Sequence, residues 1–387
     1  MSTVIVSGPL ANKTGNGGGA WERMSWVTGL RRLGCDVYFV EQIAPAACVN
    51  AAGAPAALTD SINLDWFRFV TEWFGVSDHS ALVNAGGEKC VGVSWPQLLE
   101  IACSADLLVN LSGHLTSEPL LERIRRKVYI DVDPGFTQFW CADPNTPFHI
   151  SGHDFYFTIG ENIGLPGCTI PTGGVRWRPI RQPVVLDQWR VVNSPSLERF
   201  TTVASWRGAF GPMHAGGRRL GVKVHEFRKF MGLPQRVPAT FEIALDIHPA
   251  DQKDHAALDQ NGWRLVNPRD VAGDPHAFRR YVQGSDAEFS VAQGIYVETN
   301  SGWFSDRSVR YLASGKPVLL QETGFSRNYP VGAGLLTFRT LDEAAAGAER
   351  IMQDYEKHCR AARRLAEEFF DSDDVLGRLL QEVGDSP

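Results

Sequence analysis

Asp131-Val132-Asp133 closes the apolar run that begins at Val128 and leads into Pro134-Gly135. One carboxylate falls at a strand end and the next just past it, where a side chain can be aimed at a ligand as a general base. His114, after Ser112-Gly113 and the run Leu107–Leu111, is placed in the same way. Asp133 and His114 are therefore the candidate bases, with Asp131, His153 and Glu161 as further ones. A second chemistry is legible between Ser301 and Thr323. Ser305 suits an N-cap, Asp306 a first turn and Gly315 the left-handed residue that ends a short helix. The amides of such a helix start carry partial positive charge and can hold a phosphate, and Arg307 adds a permanent planar cation.

The elements that must position these residues follow from periodicity. Val4-Ile5-Val6 is a short apolar run, followed by a glycine-rich loop with Gly17-Gly18-Gly19. Trp21, Met24, Val27 and Leu30 then recur at three-residue steps, and Val37–Val40 forms the next run. Strand, loop, helix and strand in this order make a βαβ unit. Further apolar runs at 107–111, 128–132 and 155–159 read as strands covered on both faces by helices. The aromatic segment Leu64–Phe74 reads as core packing of a helix or as an aromatic-lined acceptor pocket. Residues 166–196 lack helical periodicity and read as an exposed inter-domain connection. A second α/β set begins at Thr201–Trp206 and continues through a helix from Val222 to Met231 and strands near 241–247, 263–266, 287–291 and 318–320. The tail, 341–383, reads as mostly helical.

Composition sets the outer limits. The chain has 387 residues, which suits two domains. A formal net charge of −6 argues against broad non-specific binding to nucleic acid. The seven cysteines are scattered, with no Cys-x-x-Cys, and form neither a disulfide framework nor a zinc motif. No signal peptide and no apolar run of about 20 residues is present, so a cytoplasmic location is expected.

The Ser301–Leu320 block resembles the donor-binding element of nucleotide-sugar glycosyltransferases of the GT-B kind, whose segment before "A-x-G-x-P-V" cradles diphosphate and ribose. Gly17-Gly18-Gly19 through Val40 is similar to the opening of the single-chain bacterial retaining members, with Cys35 at their usual histidine. Ala204–Arg207 followed by Lys223 is similar to the Arg and Lys that this family points at the donor diphosphate, and Asn267–Val271 falls at its nucleobase pocket. The resemblance implies Arg207, Lys223, Val271, Ser305, Asp306 and Arg307 on the donor side and Gly17, Gly18 and Gly19 on the acceptor side. One departure stands out. The family's paired glutamates would fall at Gly302 and Arg310, which leaves Asp306 or Glu322 for the ribose contact.

The expected fold is thus α/β, two Rossmann-like domains facing across a cleft. Its parts are an acceptor-side domain (1–183), a donor domain (184–365) and a C-terminal helix (366–387) returning to the first. The expected activity is metal-independent transfer of a sugar from a nucleoside-diphosphate sugar to a small-molecule or glycan acceptor, with no separate cofactor. Fixed cations and amides can stabilise the departing diphosphate. A nucleotide-sugar 2-epimerase and a non-catalytic two-lobed binding protein are the alternatives. Inversion or retention stays open.

Overall fold

The computed structural model describes residues 2–85, 89–143, 150–208, 210–215 and 217–384; the ends of the first and last expected segments, residues 1 and 385–387, lie outside them. The N-terminal strands are β1 (Thr3–Ser7), β2 (Asp36–Ile43), β3 (Ser80–Asn84), β4 (Cys90–Gly92), β5 (Leu107–Leu111), β6 (Lys127–Asp131), β7 (Phe155–Thr158) and β8 (Trp177–Pro179). They form one sheet in the order β4-β3-β2-β1-β5-β6-β7-β8, parallel except for the β3–β4 pair. Alternation along β1 sends Val4 and Val6 into one apolar cluster and Ile5 into another on the opposite face. Apolar residues on both faces are the reason these strands read as continuous runs.

The second half holds β9 (Arg199–Ser205), a small antiparallel hairpin β10 (Met213–Ala215) and β11 (Arg218–Leu220), and then β12 (Thr240–Asp246), β13 (Arg264–Val266), β14 (Ala287–Ser290), β15 (Val318–Gln321) and β16 (Leu335–Phe338). Its sheet runs β13-β12-β9-β14-β15-β16 and is parallel throughout. Two α/β domains therefore face each other across a cleft, as expected.

The connection differs from its sequence reading. Val184 and Trp189 are fully buried rather than exposed. The Val184 N–H donates to Phe370 O at 2.8 Å and Ser372 N–H donates to Val184 O at 2.9 Å, so the chain's two passages between the halves run side by side. The polar composition of 166–196 hid this because the burial comes from partners far away in sequence. The final helix, Ser372–Glu382, puts Val375, Leu376, Leu379 and Leu380 into the N-terminal core. The aromatic segment forms the helix Ile62–Trp73, with Phe67 and Val70 in the core; its rings do not line the main cavity.

The halves meet along a seam with backbone contacts. Asn162 N–H donates to Ser301 O at 3.0 Å, and Trp21 Nε1 donates to Pro275 O at 2.8 Å. Gly17 sits so close to the second domain that a Cβ there would lie 2.1 Å from Asp274 O. Only a glycine permits that approach.

Candidate functional site

The cleft holds a cavity of about 710 Å³ with walls from both halves. The N-terminal wall is Lys13–Asn16, Gly18, Gly19, Glu22, Arg23, Val132 and Asp133, with Ile159 and Gln182 beyond. The facing wall carries Val203–Ser205 at the end of β9, Lys223, Leu245–Ile247 at the end of β12, Asn267–Arg269, Tyr296, Trp303 and Ser305–Arg307. Nearly all of these lie at or past the carboxyl ends of strands, where an open parallel sheet offers its crevice.

The β6 turn separates its two aspartates. Asp131 is fully buried and accepts hydrogen bonds from Thr137 Oγ1, Gln138 Nε2 and Thr158 Oγ1, each at 2.7 Å. Burial pushes its carboxyl up to about 6 against the pull of those donors. It also accepts from Asp133 N–H at 3.2 Å, which fixes the turn. Asp133 reaches the cavity half-buried. Burial raises its carboxyl above the ordinary range, opposed by the charges of Lys13 and Arg23. A raised carboxylate facing a cavity is suited to taking a proton.

His114 is elsewhere. Its Nε2 lies 3.7 Å from Glu41 Oε1, and Glu41 is occupied by the Ala11 and Asn12 N–H groups. His114 is not on the cavity wall.

The cations divide into paired and unpaired. Arg307 lies on the wall, but its Nε donates to Glu288 Oε1 at 2.6 Å, Nη1 to Val203 O at 2.8 Å and Nη2 to Ser290 Oγ at 2.6 Å. Arg207 is away from the cavity and forks onto Asp251, with Nε to Oδ2 at 2.8 Å. Lys223 lines the cavity, and its ammonium has no hydrogen-bond or ion-pair partner among the described residues. Burial and the neighbouring Arg307 push it down to about 7, while Glu288 pulls it upward.

Ser305 and Asp306 open the helix Asp306–Ala313 on the wall, and the Ser305 side chain makes no cap hydrogen bond. Asp306 Oδ2 lies 3.5 Å from Nη1 of the buried Arg310. Of the other donor-side candidates, Val271 packs with apolar side chains while its neighbour Ala272 reaches the wall. Glu322 is buried and accepts from Gly324 N–H at 2.6 Å, off the wall. Gly18 and Gly19 line the cavity, whereas Gly17 serves the seam. Gly302 has φ +77°, and a Cβ there would lie 2.8 Å from Asn162 N, so no glutamate fits at that position.

Lys13, Glu22 and Arg23 escaped the sequence reading. All three line the cavity, and the available signal was charge on both sides of the triple glycine. Arg23 pairs with Glu22 and donates from Nη1 to Gly19 O at 3.1 Å. The Lys13 ammonium, like that of Lys223, makes no ion pair or hydrogen bond among the described residues. Trp303 and Tyr296 stack on the same wall, ring centres 4.6 Å apart and 27° between planes. Among the described residues, no group of three or more His, Cys, Asp or Glu could hold a metal ion, and no helix is long and apolar enough to cross a membrane.

No family model and no curated protein sequence matches the chain. Solved structures do match over nearly its whole length. Anabaena HepE in complex with UDP-glucose superposes with TM-score 0.58 at 10% identity, covering 99% of this chain and 100% of that one. An α-glucosyltransferase in complex with UDP and a 13-mer DNA gives 0.57 at 12%, covering 99% and 100%. AviGT4, a glycosyltransferase involved in avilamycin A biosynthesis, gives 0.53 at 13%, covering 99% and 97%. At such identities the shared property is architecture. The chain thus has the GT-B fold, two Rossmann-like domains with a cleft between them.

Proposed function

We propose that this chain is a glycosyltransferase that moves a sugar from a nucleoside diphosphate to an acceptor hydroxyl without a metal. The observation that carries the reading is the pairing of walls. The Lys223 ammonium, unpartnered among the described residues, stands on the C-terminal side of the same cavity that receives the Asp133 carboxylate from the N-terminal side. Residues 1–183 would present the acceptor and 184–365 the donor, with the helix Ser372–Glu382 of the C-terminal segment bracing the first domain. The UDP and UDP-glucose held by the α-glucosyltransferase and HepE make UDP the first nucleotide to try.

In this reading the acceptor oxygen attacks the anomeric carbon as its proton passes to Asp133. The bond from that carbon to the diphosphate breaks with its electron pair moving to the phosphate oxygen. Lys223 meets the charge that develops there, and a fixed cation in a half-enclosed site acts far more strongly than in water. Ser305 and the free amides after it supply further donors. A single displacement of this kind inverts the anomeric centre.

The test is calorimetric titration of the purified protein with UDP, GDP, dTDP and ADP, then incubation of the matching nucleotide-sugar with and without candidate acceptors. Binding of one nucleotide and acceptor-dependent release of it support the reading. Failure of all four to bind would sink it. An altered sugar nucleotide formed without acceptor would favour the epimerase, and binding without turnover the non-catalytic protein.

A further inference from the structure

We propose that the middle of this cavity selects a neutral polyhydroxyl sugar and rejects a uronic acid, an inference that rests on the functional reading above. Three carboxylates converge there from three separate elements. Glu22 comes from the first turns of the helix Gly17–Arg32, Asp133 from the turn after β6, and Asp306 from the first turn of Asp306–Ala313. The stacked Trp303 and Tyr296 border the same space.

Glu22 and the turn bearing Asp306 are held in place. Arg310, 1% exposed, donates from Nη1 to Asp306 O at 2.6 Å and from Nη2 to Ser25 Oγ at 3.2 Å. That guanidinium ties the turn bearing Asp306 to the N-terminal helix bearing Glu22. Arg23 pairs with Glu22 and is itself fastened to Gly19 O.

Ionised carboxylates only accept hydrogen bonds, so they suit ligand hydroxyls, each bond charge-assisted. The flat aromatic face suits the C–H side of a sugar ring. A ligand carboxylate in the same space would be desolvated among three like charges. Arg23 offers it little relief because Glu22 already occupies that cation. Lys13 offers less than a free ammonium would, because the neighbouring Arg23 and burial push it down against the pull of Asp133, Glu22 and Glu41. Selectivity then comes from repulsion of the wrong sugar as much as from attraction of the right one.

The test compares UDP, UDP-glucose and UDP-glucuronate by titration calorimetry at pH 7.5, with GDP-mannose and GDP-mannuronate substituted if GDP is the nucleotide that binds. UDP-glucose is expected to bind at least about tenfold tighter than UDP-glucuronate. In Glu22→Gln the gap should narrow to about threefold or less, and Asp306→Asn serves the same purpose if the first variant fails to fold. Equal or tighter binding of the uronate, with UDP itself bound, overturns the selectivity alone. A gap unchanged in both variants overturns the assignment to these residues. Failure of every nucleotide to bind overturns the functional reading and this inference together.

Discussion

Arg307 and Glu288 form a buried ion pair, Nε to Oε1 at 2.6 Å, on the very wall where a diphosphate would rest. The pair changes what the guanidinium does. Its charge is largely answered from within the protein, and its remaining donors go to Val203 O and Ser290 Oγ. Beside it stands Lys223, whose ammonium has no hydrogen-bond or ion-pair partner among the described residues. Arg307 fixes the floor of the cavity, and in the proposed reading Lys223 is the cation that would face a ligand.

Arg307→Ala should therefore cost stability before it costs affinity. Removing one member of a buried pair leaves the other charge uncompensated, at about 3–5 kcal/mol. Urea denaturation would show the loss as a lower midpoint with unchanged slope. Arg307→Met combined with Glu288→Met should recover most of it, because neither charge is then left alone. A drop below about 1 kcal/mol in the single variant would contradict the structural role.

Lys223→Met should weaken nucleoside-diphosphate binding by about 1.5–3 kcal/mol, the range for a hydrogen bond to a charged group. The pH dependence has a definite sign. The free ammonium titrates at about 7 instead of 10.5. A bound anion favours its charged form, so binding above pH 7 takes up a proton and affinity falls as pH rises. Titrations in two buffers of different ionisation enthalpy would reveal the uptake, and Lys223→Met should abolish it. The same depression acts on folding. The unfolded chain holds the extra proton between pH 7 and 10.5, so this residue's contribution to stability rises with pH across that window.

Asp133→Asn should lower turnover by about 10²–10⁴-fold while donor affinity stays near that of the parent protein. Catalysis needs the ionised carboxylate, so the rate should climb with pH on an acidic limb set above the ordinary carboxylate range by burial. That limb should vanish in the variant. Donor affinity falling in step with rate would mark the residue as a structural element of the turn. Unchanged turnover would favour a retaining mechanism, which needs no base here.

Limited proteolysis should cut first within 190–196. Arg190 through Asn193 are exposed, whereas Val184, Val185 and Trp189 just before them are buried. Mass mapping of the first fragments checks this, and an initial cut between 180 and 189 would speak against the packed crossing.

The strands that line the cleft were legible because their hydrophobic runs are local. Val4–Val6, Leu107–Leu111 and Val318–Leu320 each declare a buried strand within a few residues. β3, β4, β8, β10, β11 and β16 were not read from the sequence. The helix start at Ser305 was visible in its capping residue and in the glycine that ends it. What could not be read was pairing over distance. Nothing near Arg307 or Arg207 in the sequence announces Glu288 or Asp251 as partner, and the value of a cation to a ligand depends on those partners. Lys13 and Glu22 escaped for the opposite reason. They flank a glycine loop whose spacing drew attention to the glycines rather than to their charged neighbours.

The helix Ser372–Glu382 gives the chain an unusual order of assembly. Apolar side chains from Val375 to Val383 complete a core whose other members begin at Val4. During synthesis, domains usually fold as units from the N-terminus onward. Here the first sheet must wait, with part of its apolar face uncovered, until residues 375–383 leave the ribosome. The second sheet has every strand and the helix Tyr355–Phe369 in hand before that. The domain made first is thus closed last, and a nascent chain stalled short of residue 372 would carry an unfinished N-terminal half beside a finished C-terminal one.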